Sequence, residues 1–159
     1  MPESSFNCQR CGHCCQGEGG ILMTARDRER LARHLNQDIP AMLAAYAESA
    51  GGKVRLRAGP DGYCVFFRQG QGCGVHEGRP DICRAWPYFR GNLVDALSWE
   101  MIQTDCPGVN SATGHALFVS QGLDYLYEHR LVHEPGPESP RALVLDPPLK
   151  RCSTRQEDP

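Results

Sequence analysis

Four of the first fifteen residues are cysteine, spaced C-x2-C-x2-C-C at Cys8, Cys11, Cys14 and Cys15, and the glycine-rich run GEGG follows at 17 to 20. A segment this rich in thiols and glycine has no apolar period to bury as a helix or strand face, so whatever holds it acts through sulfur. Three chemistries do that: a disulfide knot, a catalytic thiol, or a set of metal ligands. Cys64, Cys73, Cys83, Cys106 and Cys152 have to be placed by the same choice.

The compartment bears on the first option. The N-terminus MPESSFNCQ lacks a basic stretch followed by an apolar one, and no run in the chain approaches the roughly 18 apolar residues that a membrane span requires. A cytoplasmic protein with no membrane partner is expected. Cytoplasmic thiols are kept reduced, and the count of nine is odd, so a disulfide framework is disfavoured. A catalytic thiol needs a base. His13 and His76 stand beside cysteines, but neighbouring sulfur or a metal captures a thiolate in so tight a cluster. No phosphate-binding glycine loop or Ser-His-Asp spacing is present, and no catalytic residue is assigned.

Metal ligation fits the numbers. Eight cysteines fall within residues 8 to 106, twice the four thiolates that complete a tetrahedral zinc site or the shell of an iron-sulfur cluster. Two residues between cysteines let a turn aim both sulfurs at one ion while backbone N–H groups point at the sulfurs. Cys14 and Cys15 are adjacent, and neighbouring side chains in an extended loop diverge, so one is expected in each of two sites. The N-terminal cysteines would then be tied to Cys64, Cys73, Cys83 and Cys106. Cys64, within YCVFF, also suits a small core residue. Four thiolates around a divalent ion leave about two negative charges, which Arg10, Arg79 and Arg84 are placed to offset.

The remaining chain reads as one α+β domain, small, irregular and metal-stabilised, over residues 1–133, with a Pro-rich flexible tail at 134–159. Thr24 and Asp27 form a capping-box start for a first helix, and Pro40 opens a second that carries Met42, Leu43, Tyr46 and Ala47 to Gly51-Gly52. KVRLRA and YCVFF flank the turn residues GPDG and predict a β-hairpin, and NLVDALSW predicts a further short strand. Cysteine-bearing loops occupy 1–20 and 70–83, and Ala112 to about Leu131 has the spacing of a C-terminal helix. The net charge is −2, and Arg26, Arg28, Arg30 and Arg33 are interleaved with Asp27 and Glu29, which reads as a solvated helix face and excludes a nucleic-acid footprint.

CQRCGHCC, then CVFF and GCGVHEGRPDICRAWPYF, then a tryptophan before CPGV together resemble the CxxCxxCC (YkgJ-like) cysteine-cluster family, a zinc- or iron-chelating domain, over about residues 6 to 110. The resemblance implies that Cys8, Cys11, Cys14, Cys15, Cys64, Cys73, Cys83 and Cys106 are the metal ligands. Arg79, Pro80, Arg84 and Pro87 are its other signature positions, and Arg79 and Arg84 are implied to stand behind the ligands. Cys152 has no counterpart. The expected cofactor is zinc or iron, a 4Fe-4S cluster among the options, and the expected role is redox, electron transfer or metal handling. A different reading is a structural zinc module that presents its C-terminal helix and tail to a protein partner without redox activity.

Overall fold

Thr24 begins the first helix as its sequence indicates. In a computed structural model that describes residues 3–16, 20–145 and 149, the Thr24 side chain accepts from the Asp27 N–H while the Asp27 carboxylate accepts from the Thr24 N–H, closing a capping box at the head of α1 (Ala25–Leu35). Asp38 caps α2 (Ile39–Tyr46) through the Ala41 N–H at 2.8 Å, with Pro40 in the first turn, where its missing N–H costs nothing.

The apolar stripe of α2 was expected to run to Gly51-Gly52, but the helix ends at Tyr46 and the chain becomes β1 (Ala47–Ala50). Gly51 and Gly52 both take positive φ, 58° and 78°, and turn the chain into β2 (Lys53–Leu56), with Ala47 opposite Leu56 and Ala50 opposite Lys53. A two-glycine turn supplies the left-handed pair that matches strand twist, so it wins over the GPDG turn. KVRLRA therefore does not form a hairpin with YCVFF; one bridge, Ala58 to Cys64, remains between those stretches. The end of YCVFF instead starts β3 (Phe67–Arg68), paired with β4 (Gly72–Cys73).

NLVDALSW is a second correction. It is helical, split between α4 (Arg90–Val94) and α5 (Ala96–Asp105), because Asp95 caps the Leu97 and Ser98 N–H groups and restarts the helix. Before these lies the short α3 (Asp81–Ala85), and after them α6 (Gly114–Glu128), the expected C-terminal helix. Gly122 sits in α6 at some cost in helix propensity, but a Cβ there would lie 2.5 Å from the Tyr88 ring, so glycine is what lets Tyr88 pack.

Two apolar cores result. Met23, Leu31, Met42, Leu56, Phe66 and Val75 form one, together with Cys15 and Cys64. Ile82, Tyr88, Trp99, Phe118, Leu126 and Leu131 form the other, with Cys106 at its edge. The second core also takes in Leu143, which is fully buried and whose carbonyl accepts from the His133 N–H at 2.9 Å, while Glu138 pairs with Arg28 at 2.9 Å. Packing thus continues past residue 133. The Pro-rich composition there hid one leucine that finds a pocket. Cys152, expected in the tail, lies outside the described residues. No helix among the described residues is long and apolar enough to cross a membrane.

Candidate metal centre

The N-terminal cysteines are placed by backbone pairing at both ends of their motif. Asn7 donates to the Gly108 carbonyl and Asn110 to the Ser5 carbonyl, each at 2.9 Å, which brings the start of the motif to the turn that carries Cys106. At the other end the Cys64 N–H donates to the Cys15 carbonyl at 2.7 Å, beside a bridge between Gln16 and Tyr63. Two glycines permit the close approach between these anchors. Gly12, at φ 85°, packs where a Cβ would enter the Phe67 ring, and Gly72, at φ 82°, leaves a Cβ position only 3.2 Å from the Arg10 carbonyl. Cys73 follows Gly72 on β4, and α3 delivers Cys83, whose N–H donates to the Pro80 carbonyl at 3.0 Å.

The outcome is convergence. Cys8, Cys11, Cys14, Cys15, Cys64, Cys73, Cys83 and Cys106 all line one cavity of about 50 Å³. Its other walls are largely apolar, including Phe6, Ile21, Leu56, Phe66 and Trp86, with Gln9, Arg10, His13, His76 and Arg79 as polar members among the described residues. Cys15, Cys64 and Cys106 are buried, Cys73 and Cys83 half-buried, and Cys8, Cys11 and Cys14 exposed; all eight are free thiols. The cavity lies where the two cores meet, with Cys15 and Cys64 belonging to one and Cys106 to the other.

Three of the sulfurs share a local device. The N–H two residues further on acts as a hydrogen-bond donor to each: Phe66 to Cys64, Val75 to Cys73 and Gly108 to Cys106, with the Trp86 side chain a second donor to Cys106. Donors aimed at sulfur favour the thiolate, the form that binds metal. Against them, burial pushes the Cys64, Cys73, Cys83 and Cys106 thiols up, and the neighbouring sulfurs add to the effect. Cys14 is lowered to about 7, chiefly by the hydrogen bond from Cys15, whose own thiol is raised in exchange. Eight thiols in one apolar cavity cannot all ionise against one another; a cation among them reverses that balance.

The expectation that Cys14 and Cys15 diverge is not met. They lie in a 3-10 turn, His13–Cys15, rather than an extended loop, and their thiols hydrogen-bond each other. Both line the cavity that the other six cysteines share. Arg79 lines the thiol cavity: its Nε donates to the His76 carbonyl at 2.8 Å and its charge acts on Cys14, Cys73 and Cys83. Arg10 also acts on Cys73. Arg84 does not line the thiol cavity; it donates to the Arg79 and Glu77 carbonyls and faces a different one. Sequence reasoning missed Trp86 as a sulfur donor, although it stands in the RAWP stretch three residues after Cys83. Burial, then Arg79 and Arg10, lower His76, which favours its neutral imidazole.

Among the described residues no group of three or more His, Cys, Asp or Glu side chains is already in position to hold one ion. Ligation requires the thiols to draw inward. The donor set nevertheless fits a thiophilic metal: sulfur is abundant, N–H donors are preset, and Arg10 and Arg79 supply offsetting charge. Residues 7–107 match the model of the CxxCxxCC family, described as "Putative zinc- or iron-chelating domain". No curated protein and no solved structure matches the chain.

Proposed function

The chain belongs to the CxxCxxCC family, and from that premise we propose that it is a cytoplasmic metal-binding protein whose Cys8, Cys11, Cys14, Cys15, Cys64, Cys73, Cys83 and Cys106 hold zinc or iron. One observation carries the reading: eight thiols from segments as far apart as residues 8 and 106 line a single cavity. Packing alone does not require this, since valine or alanine would fill the same space without mutual repulsion. Iron held by these thiolates, as a 4Fe-4S cluster, would supply one-electron chemistry; zinc would supply only cross-linking. Arg10 and Arg79 reduce the net negative charge of the loaded site, and the N–H groups of Phe66, Val75 and Gly108 stabilise their sulfurs as thiolates. The roles that fit are electron transfer, redox sensing or metal handling in a reducing compartment, where clustered free thiols persist.

A second reading has its own support. Because the cavity joins two cores, a bound zinc would clamp them together, which suits a structural module that displays its surface to a protein partner. Anaerobic purification followed by elemental analysis and a visible absorption spectrum separates the two. Stoichiometric iron with a coloured, reducible chromophore supports the redox reading, and colourless protein with stoichiometric zinc supports the module. Protein that retains neither metal, and takes up neither on reconstitution, would sink both.

A further inference from the structure

A second cavity, about 300 Å³ in volume, opens between α1, α3 and the end of α6, and its walls are arginine. Arg26, Arg30 and Arg33 reach it from one side of α1, at the i, i+4, i+7 spacing of a helix face, Arg84 from α3, and Arg130 from just beyond α6. Among the described residues, Glu29 and Asp81 are the two carboxylates in the lining. Five guanidinium groups against two carboxylates concentrate positive charge in a chain whose net charge is −2. The alternation of charges along α1 gives no sign of this in the sequence, because one of its two acids, Asp27, is fully buried and, of these arginines, reaches only Arg30, at 2.9 Å, while Glu29 alone shares the cavity with the arginines of α1.

Asp81 does not neutralise the cavity; it builds it. Asp81 is 1% exposed. Its Oδ1 accepts from Arg30 Nη1 at 2.8 Å and Nη2 at 2.7 Å, and its Oδ2 meets Arg26 Nη2 and, at 2.9 Å, His133 Nε2. With both oxygens committed, the carboxylate orients two guanidinium forks and has no capacity left for the others. Arg26 Nη2 also donates to the Arg130 carbonyl at 2.9 Å, which fixes the far wall. Arg84 uses Nε and Nη2 on the Arg79 and Glu77 carbonyls and keeps Nη1. Among the described residues, the Arg33 and Arg130 guanidinium groups have no hydrogen-bonding or ion-pair partner.

We propose that this cavity is a binding site for a small phosphate-bearing anion. Guanidinium forks match phosphoryl oxygens in pairs, and an anion with several such oxygens can engage three or more arginines at once, which one carboxylate cannot. The volume is at the lower limit of small-molecule sites, about 300 Å³, and so selects a compact ligand such as a diphosphate group over a polymer. The site does not depend on the identity, or the presence, of a metal among the cysteines.

Isothermal titration of the full-length, metal-loaded protein with inorganic pyrophosphate, and separately with orthophosphate, tests the proposal. Pyrophosphate is expected to bind at least tenfold more tightly than orthophosphate, because only it can span opposite walls. The double variant Arg33→Ala, Arg130→Ala removes two exposed side chains that no described group relies on, so its thermal melt and metal content should be those of the parent. Its pyrophosphate affinity should fall at least tenfold. Absence of binding to the parent at millimolar pyrophosphate, or equal affinity in parent and double variant with metal content unchanged, overturns the proposal; the second result would assign the binding to the metal centre.

Discussion

Asp81→Asn should destabilise the fold by about 2 to 3 kcal/mol at neutral pH, and the penalty should shrink in acid. The substitution keeps the volume and one acceptor of a side chain that is 1% exposed but removes its charge from Arg30, His133 and Arg26. Breaking a buried ion pair by deleting one partner costs roughly 3–5 kcal/mol. Two features place this case at or below the lower end. Arg26 is 56% exposed, so that pair is screened and adds little. Arg30 also contacts Asp27 at 2.9 Å, and Asp27, whose carboxyl is raised by burial and then by the Asp81 charge, becomes the better partner once that charge is gone. The effect of the same contacts on the Asp81 carboxyl points to a similar size. Burial alone would push its carboxyl up, yet His133, Arg26 and Arg30 together hold it at about 2, below its ordinary 3.8. At about 1.4 kcal/mol per unit this is on the order of 2 kcal/mol. Because the folded value is the depressed one, the contribution is fully present above the unfolded value and fades as pH falls toward the folded one; about half is gone by pH 3. Urea unfolding of both proteins at pH 7, 5 and 3 measures the gap directly. A gap under about 1 kcal/mol at pH 7, or one equally large at pH 3, refutes the account of how Asp81 is held.

Leu143→Ala should cost about 2–5 kcal/mol, as for other fully buried leucines, and a thermal melt showing less than about 1 kcal/mol would mean that residues 134–145 contribute nothing to the second core. Cys83→Ser should lower bound metal and destabilise the domain by several kcal/mol, while Cys152→Ser should leave metal content unchanged and move stability by no more than about 0.5 kcal/mol. Elemental analysis and a melt on each variant decide the matter; equal metal loss in both would make Cys152 a ligand.

What could be read in advance followed the range of the interaction. The capping box at Thr24 and Asp27 and the proline start of α2 depend on residues three or four apart, and both are visible as letters. The pairing partner of Lys53–Leu56 was not, because the chain offered two turns and the choice depended on the Gly51-Gly52 conformation rather than on the strands. NLVDALSW has apolar residues that suit either period, and the Asp95 cap decided for helix. At the centre, the eight cysteines were legible from spacing and count. Their meeting at one cavity was not, since it depends on residues 5–7 pairing with 108–110 and on Cys15 pairing with Cys64. The cavity that Arg84 lines was equally out of reach: next to Cys83 in sequence, it faces a different cavity from a helix, where successive side chains lie about 100° apart.

The pairing of Asn7 with Gly108 also sets an order of events at the ribosome. The four cysteines of the N-terminal motif emerge first, yet the strand-like partner that seats one end of the motif is about a hundred residues behind them. At some 5–20 residues per second, those thiols wait on the order of 5 to 20 seconds, exposed and without their fixed surroundings. Cys64 can join Cys15 partway through, but Cys106 arrives only as that partner is completed. The nascent chain thus displays its softest, most oxidisable groups well before the cavity that they line is complete.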